Sequence, residues 1–357
     1  MKNFEEKLKD LLLQAAKQNA SDLHLGIGRK PTLRIDGALI PIADENILNP
    51  ETVEGLIMAM LNNEQKEKLL KEKQIDFAYN LEDKARFRVN AYYQKSYLAA
   101  ALRLIPGRIM TIEELNLPPI LHEFTKLSQG FILIVGPAGH GKSTTLAAIL
   151  DEINHNRSDH IITIEDPIEY IFNQDRGIVS QREVGVDVPT FHDGLKTILR
   201  QDPDVIMIGE MRDKESISTA LTAAETGHLV FSTLHTNSAS QTIDRIIDTF
   251  PAEQQNQIIS QLSATLVAIV SERLIPQIGG GRVPATEIMI VNPAIRNLIR
   301  ERKVYQIDLV IETSFQEGMI TLNRSLANLV KNKIISLESA ELYSLNPSEL
   351  RILIERI

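Results

Sequence analysis

The residues best suited to chemistry lie in one run, Gly136-Pro137-Ala138-Gly139-His140-Gly141-Lys142-Ser143, followed by Thr144. The spacing is G-x-x-x-x-G-K-[ST], and it suits the capture of a nucleotide's phosphates. Glycines let backbone N–H groups close around phosphate oxygens. A helix starting at Lys142 adds a favourable field at its N-terminus. Lys142 is the cation for the β- and γ-phosphates, and the Ser143 hydroxyl is a ligand for Mg²⁺. An apolar strand, FILIVGP, precedes the run and a helix follows it, which weighs against a glycine-rich turn with an incidental lysine. His140 fills a free slot and reads as a tolerated loop residue.

Two further apolar strands end in carboxylates. Ile161–Ile164 leads into Glu165-Asp166-Pro167-Ile168-Glu169, and Val205–Ile208 leads into Gly209-Glu210-Met211-Arg212-Asp213. Carboxylates just past the C-termini of parallel strands face the crevice where phosphates bind. One such group can hold Mg²⁺ through water, and another can orient or deprotonate the attacking water. Glu165 and Glu210 are the candidates. Asp166, Glu169 and Asp213 stay open, because Arg212 or a helix N-terminus can pair with them. His228 precedes a fourth strand and His235 follows it. Each reads either as a sensor of the γ-phosphate or as a hydrogen-bonded structural histidine. Arg86 and Arg88 alternate on a predicted strand, hence on one sheet face, and Arg103 lies on another. They form a solvated face or supply charge in trans to a neighbour's nucleotide.

These groups need a frame. Residues 3–18 have helical apolar spacing, 21–28 and 31–42 read as short strands, and Asn49-Pro50 opens a helix to about residue 61. Residues 76–106 read as two or three antiparallel strands, completing a small α+β domain. The boundaries expected are 1–106 for that domain, 107–120 for a linker, 121–291 for the core and 292–357 for a helical region. In the core, strands at 131–135, 160–166, 204–211 and 228–235 alternate with helices, which predicts a mostly parallel sheet covered on both faces. Helices are expected over 293–302, 304–312, 319–331, 337–345 and 347–357.

Composition sets limits. The 357 residues carry 38 Lys+Arg against 47 Asp+Glu and contain no cysteine, which excludes thiolate catalysis and cysteine-ligated metal. The net charge of −9, with no dense basic tract, argues against nucleic acid as a partner. No apolar run approaches the ~20 residues of a membrane span. A soluble, intracellular chain is expected.

Together, GPAGHGKST, TIEDPIEY, DPDVIMIGEMRD and TGHLVFSTLHTNSA resemble the Walker A, Asp, Walker B and His boxes of the bacterial type II/IV secretion ATPases (GspE/PulE family), the motors of type II secretion and type IV pili. ASDLHL (20–25) and RIDG (34–37) resemble that family's N-terminal PAS-like domain. IGGGRVPATEIMI (278–290) and AIRNLIRE (294–301) resemble the twitching-motility retraction ATPases, the PilT type. The resemblance implies a PAS-like α+β domain, a RecA-like P-loop ATPase domain and a C-terminal helical extension. It implies MgATP on Lys142 and Ser143, Glu165 serving the hydrolytic water, Glu210 at the Mg²⁺ side, and His228 and His235 coupling the site to the moving interface. Arg86, Arg88 and Arg103 resemble arginines offered to a neighbouring subunit. Ala138 and His140 depart from the threonine and serine common in the family's phosphate loop.

The activity implied is that of a homo-hexameric ATPase in the cytoplasm, at the inner face of the inner membrane. There it turns a platform protein so that a pilus depolymerises, with a second retraction ATPase as a further partner left open. The stretch Ala294-Ile295-Arg296-Asn297-Leu298-Ile299-Arg300-Glu301 resembles the motif that the family uses for retraction rather than hydrolysis. Arg296 and Arg300 share one helix face, and so do Asn297 and Glu301, opposite an apolar side of Ile295, Leu298 and Ile299. The charged face is either solvated or a relay. The competing functions are an assembly or secretion ATPase, a nucleic-acid translocase on a RecA-like core, and a nucleotide-binding subunit without turnover. The missing cysteines and AIRNLIRE speak against the first, the acidic balance against the second, and the intact Lys142 and Glu210 against the third.

Overall fold

The computed structural model describes residues 2–18, 20–35, 37–81, 85–105 and 107–356. Asp36 of the RIDG run and Pro106, the last residue expected in the first domain, lie outside the described residues. The chain forms two compact units: residues up to Arg108 with Glu169–Ile171, and Ile109–Ile168 with the chain from Phe172 onward.

The first unit is an antiparallel sheet with helices. In chain order it runs α1 (Lys2–Lys17), β1 (Asp22–Leu25), β2 (Thr32–Ile35), β3 (Ala38–Pro41), α2 (Pro50–Met58), α3 (Asn63–Glu72), β4 (Gln74–Leu81), β5 (Ala85–Gln94) and β6 (Tyr97–Ile105). The strand order is β3-β2-β1-β6-β5-β4. Leu8, Leu11 and Leu12 of α1 pack with Leu23, Phe87, Val89 and Leu102 of the sheet. Alternation along β5 buries Phe87, Val89 and Ala91 and leaves Arg86, Arg88 and Asn90 on the other face. Helix α3 is absent from the sequence reading. It buries only Leu69, so its periodicity is weak, and its start is marked by a capping box between Asn62 and Gln65.

The second unit holds a seven-stranded sheet. Its elements are α4 (Leu121–Thr125), β7 (Gly130–Val135), α5 (Lys142–Asn156), β8 (His160–Glu165), β9 (Ile178–Glu183), α6 (Phe191–Ile198), β10 (Val205–Ile208), α7 (Lys214–Glu225), β11 (Leu229–Leu234), α8 (Ala239–Asp248), α9 (Ala252–Thr265), β12 (Leu266–Pro276) and β13 (Arg282–Ile290). The order is β13-β12-β7-β11-β10-β8-β9. All neighbours are parallel except β12 and β13, which form an antiparallel ribbon. The four strands read from the sequence are the buried centre. The three others escaped that reading. β9, IVSQRE, is half polar. β12 follows α9 with no glycine or proline between them, so no breaker marks its start. Gly279, Gly280 and Gly281 all have positive φ (94°, 108° and 77°) and reverse the chain into β13.

Five helices follow: α10 (Pro293–Arg300), α11 (Ile307–Thr313), α12 (Leu322–Lys331), α13 (Leu337–Tyr343) and α14 (Pro347–Arg356). Residues 304–306 form a 3₁₀ turn rather than the start of a helix. The helix expected from 319 begins at Leu322, because Ile320 bridges to Ile288 of β13.

Candidate active site

Strand β7 is buried along its whole length and delivers the chain to the phosphate loop. Gly136, Gly139 and Gly141 have φ of 145°, 76° and 95°, which a side chain would strain. Gly141 caps α5 without a side-chain hydrogen bond, so the helix's first N–H groups are offered to a ligand rather than to a capping residue. Lys142 is 7% exposed. Its ammonium donates to the Gly136 carbonyl at 2.9 Å and to the Pro137 carbonyl at 2.8 Å. Ser143 lies exposed in the first turn of α5, with Thr144 half-buried beside it. Ala138 and Gly139 are exposed at the tip of the loop. His140 does more than tolerate its place. Its Nδ1 accepts from the Leu274 N–H at 3.0 Å and pins the loop to β12. Burial, then the cations Arg273, Lys142 and Arg282, hold its pKa below the ordinary histidine value.

Because β7, β11, β10 and β8 are adjacent and parallel, their C-terminal ends share one sheet edge. Glu165 ends β8 and is buried; its Oε1 accepts from the Thr163 hydroxyl at 2.7 Å and from the Gln181 amide at 3.1 Å. Glu210 follows β10 and pairs through Oε1 with Arg212. His235 follows β11 and joins the two sides of the site. Its Nδ1 is 3.4 Å from Lys142 Nζ and its Nε2 is 3.5 Å from Glu210 Oε2. An ammonium can only donate, so Nδ1 presents its lone pair and the Nε2–H faces the carboxylate. Lys142, His235, Glu210 and Arg212 therefore stand in one row.

Other candidates stand elsewhere. Asp213 caps α7, accepting from the Ser216 N–H at 2.8 Å and the Ser216 hydroxyl at 2.7 Å. Those bonds keep its pKa low. Asp166 is exposed just past β8. His228 is at the opposite end of β11 from His235, roughly 20 Å away for six strand residues. Its Nδ1 lies 2.9 Å from the Ala223 carbonyl and 3.1 Å from the Thr226 hydroxyl, the bonds of a residue that closes α7. Within one chain the structure does not bring His228 to the phosphate loop.

Arg86, Arg88 and Arg103 belong to the first unit. Arg88 pairs with Arg103 across β5 and β6, Arg103 with Asp22, and Asp22 with Arg34. Arg103 Nε is 3.1 Å from Asp22 Oδ1, and Arg88 is 3.8 Å from Glu169. The row contains a further arginine, Arg34, that sequence reasoning passed over. AIRNLIRE forms α10. Ile295 and Ile299 are buried, Leu298 is half-buried, and Ala294, Asn297 and Glu301 are exposed. Its arginines are not a plain solvated face. Arg296 Nε donates to the Ser263 carbonyl at 3.0 Å, and Arg300 Nε to the Ser263 hydroxyl at 3.3 Å.

Three residues around the loop were missed. Thr145 donates its hydroxyl to Glu272 Oε2 at 2.6 Å, and Glu287 Oε1 accepts from the Ala239 N–H at 2.7 Å. Burial raises the pKa of both glutamates to about 7. The available signal was a carboxylate inside an apolar strand pattern, LVAIVSERLIP and RVPATEIMI, where solvated charge does not belong.

Residues 2–282 match the family model described as "Type II/IV secretion system protein". The chain is 47% identical over 333 residues to the type IV pilus retraction ATPase PilT of Pseudomonas aeruginosa, covering 93% of this chain and 96% of that protein. It is 43% identical over 311 residues to a twitching motility protein of Neisseria gonorrhoeae, covering 87% of this chain and 83% of that one. Among solved structures, the pilus retraction motor PilT with bound ADP superposes with a TM-score of 0.89 at 46% identity, over 98% of this chain and 99% of that one.

Proposed function

From a chain that belongs to the type II/IV secretion system protein family, we infer a motor ATPase that couples Mg²⁺-dependent ATP hydrolysis to type IV pilus retraction. The observation that carries the chemistry is the row Lys142–His235–Glu210, which joins the phosphate loop to a carboxylate two strands away. Support for retraction comes from the identity to the two pilus proteins and from AIRNLIRE as a helix anchored to the core. The reading includes a PAS-like domain over 1–106, a linker over 107–120, a RecA-like core over 121–291 and a helical region over 292–357.

The residues fit a magnesium nucleotide. Lys142 Nζ is held by two carbonyls of its own loop, contacts that a γ-phosphate replaces with a stronger, charge-assisted bond. Gly136 and Gly141 leave the loop no room for a Cβ, so the backbone keeps a fixed curve, and α5 starts without a side-chain cap. The exposed Ser143 hydroxyl and the Glu210 carboxylate are the groups that would hold Mg²⁺, directly or through water. Mg²⁺, when bound, neutralises charge on the transferring phosphoryl group.

Glu165 orients the attacking water. Its Oε1 is fixed by Thr163 and Gln181, so the carboxylate does not swing. His235, flanked by Lys142 and Glu210, moves with the γ-phosphate and reports its loss to α8, which starts four residues later. Arg86, Arg88 and Arg103 serve a neighbouring subunit's nucleotide in a homo-hexamer. The load is a platform protein at the inner face of the cytoplasmic membrane. No described helix is long and apolar enough to cross a membrane.

The test is Lys142→Ala. ATPase activity should fall by ~10²–10³, the cost of losing an electrostatic transition-state contact, and the variant should fail to restore twitching in a strain lacking its retraction ATPase. Restoration of twitching by the wild-type chain supports the motor assignment. Turnover in the variant within tenfold of wild type sinks the site.

A further inference from the structure

The ribbon β12–β13 carries one buried carboxylate on each strand, Glu272 at 2% and Glu287 at 8% exposure. Neither belongs to the row described above. Register places Glu272 opposite Thr286 and Ser271 opposite Glu287, so the two carboxylates are one position apart and point to opposite sheet faces. Each therefore meets a different element. Glu272 takes the Thr145 hydroxyl in the first turns of α5, and Glu287 takes the Ala239 N–H at the start of α8.

The phosphate loop rests directly on Glu272. A Cβ at Gly141 would collide with its carboxylate, and a Cβ at Gly136 with its carbonyl oxygen. The same ribbon holds the segment after His235 a second time, through Ser271 Oγ donating to the Asn237 carbonyl at 3.1 Å. It holds the phosphate loop a second time as well, through His140 and the Leu274 N–H. One rigid two-stranded piece thus touches the loop bearing Lys142 and the segment bearing His235.

We propose that Glu272 and Glu287 are positioning residues for ATP turnover, acting as hydrogen-bond acceptors that fix the phosphate loop and the His235 segment to one ribbon. This rests on the ATPase reading of the site. What Glu272 contributes is acceptor geometry rather than charge. Its raised pKa, near 7, follows from burial opposed by Thr145 and Lys142, so the neutral acid is well populated near neutral pH. A glutamine, which keeps the shape and one acceptor oxygen, should therefore serve in its place.

The experiment compares Glu272→Gln with Glu272→Met in the full chain, and Glu287→Gln with Glu287→Met. Methionine fills similar volume without an acceptor. Methionine also leaves the Thr145 hydroxyl or the Ala239 N–H without its acceptor, so the methionine variants should melt lower than wild type, and all variants are compared at a temperature where each is folded. The readouts are kcat, KM and affinity for a fluorescent ATP analogue. The last reports loop geometry even where turnover fails for another reason, and Lys142→Ala tests the ATPase reading separately. We expect kcat/KM and analogue affinity to fall roughly tenfold in each methionine variant, about the rate equivalent of one hydrogen bond. Each glutamine variant should stay within about twofold of wild type by the same arithmetic. Thr145→Val should reproduce the Glu272→Met loss, and the double variant should be no worse than either single one. Methionine variants as active as wild type, glutamine variants as poor as methionine, or additive losses with Thr145→Val would each overturn the proposal.

Discussion

Glu210 and Glu272 belong to the same sheet, yet one is 16% exposed at its side chain while the other is 2% exposed as a residue. Glu210 stands past the end of a parallel strand, on a loop, with Arg212 and His235 at its carboxylate. Glu272 stands inside a strand of the antiparallel ribbon, with a threonine hydroxyl at its carboxylate. Position relative to the strand end decides the chemistry. A carboxylate past the end, like that of Glu210, keeps partial solvation and stays within reach of a cation or substrate. One within the strand loses water on folding, so its pKa rises and it serves better as an acceptor than as an anion. The parallel strands thus present groups to substrate, while the ribbon holds those groups still.

The sharpest break of that comparison is Glu210→Gln. The shape remains and the charge beside the proposed Mg²⁺ site is lost. Turnover should fall by about 10², typical of an electrostatic contact at a reacting phosphate, while an ATP analogue still binds. Loss of analogue binding along with turnover would move Glu210 into primary metal capture or folding.

His235 and His228 offer an internal control, because they bracket one strand. His235→Ala removes the bridge between Lys142 and Glu210 and should cost roughly tenfold in kcat. His228→Ala removes only bonds to Ala223 and Thr226. Measured as ATPase per subunit at fixed assembly, it should stay within about twofold. Equal losses at the two positions would mean that His228 acts across a subunit boundary rather than as the end of α7.

Most of this site was legible in the sequence because nucleotide chemistry dictates local spacing. The run from Gly136 to Ser143, and the acids after two apolar strands, are short-range patterns, and the structure lines up Lys142, Glu210 and Glu165 along one sheet edge. The support was not legible. Thr145 and Glu272 are 127 residues apart in sequence, and only the topology β12-β7 brings them together. The same holds for Arg296 and Ser263, 33 residues apart on helices that pack side by side. Helix α3, with one buried leucine, and β9, half polar, lack the periodicity that made their neighbours readable.

A pH series tests the ribbon more gently. Glu272 and Glu287 each rise from 4.5 to about 7 on folding. The folded chain therefore binds these protons more tightly than the unfolded chain, and their contribution is fully present below about pH 4.5 and lost as pH rises through about 7. Lys142 opposes the shift at Glu272; Arg273 opposes and Asp308 adds to that at Glu287. A glutamine does not titrate. The Tm of Glu272→Gln minus that of wild type should widen between pH 5 and pH 7 by the equivalent of on the order of 2–3 kcal/mol, then level off. A gap that narrows with rising pH would show that Glu272 folds as a stabilised anion, and the contrast with Glu210 would fail.

The smallest effect on hydrolysis should come from the largest lesion to retraction. Arg296 and Arg300 hold Ser263, two residues before the end of α9. A cation at that end meets the helix's unpaired carbonyls and its negative dipole. Helix α9 passes without a break into β12, the strand that bears Glu272 under the phosphate loop. Removing both arginines leaves Ile295 and Ile299 packed, so α10 should persist, with Tm lower by about 2–4 °C for a loss near 1 kcal/mol. Glu272 keeps its bond to Thr145, so ATPase in solution should stay within about twofold. What goes is the grip of α10 on the element that feels the nucleotide. In the Arg296→Ala, Arg300→Ala double variant, assembly should be intact and twitching lost. Normal twitching would reduce α10 to a packed helix. A parallel collapse of ATPase would place the arginines in the support of the catalytic site, on the same side of the comparison as Glu272.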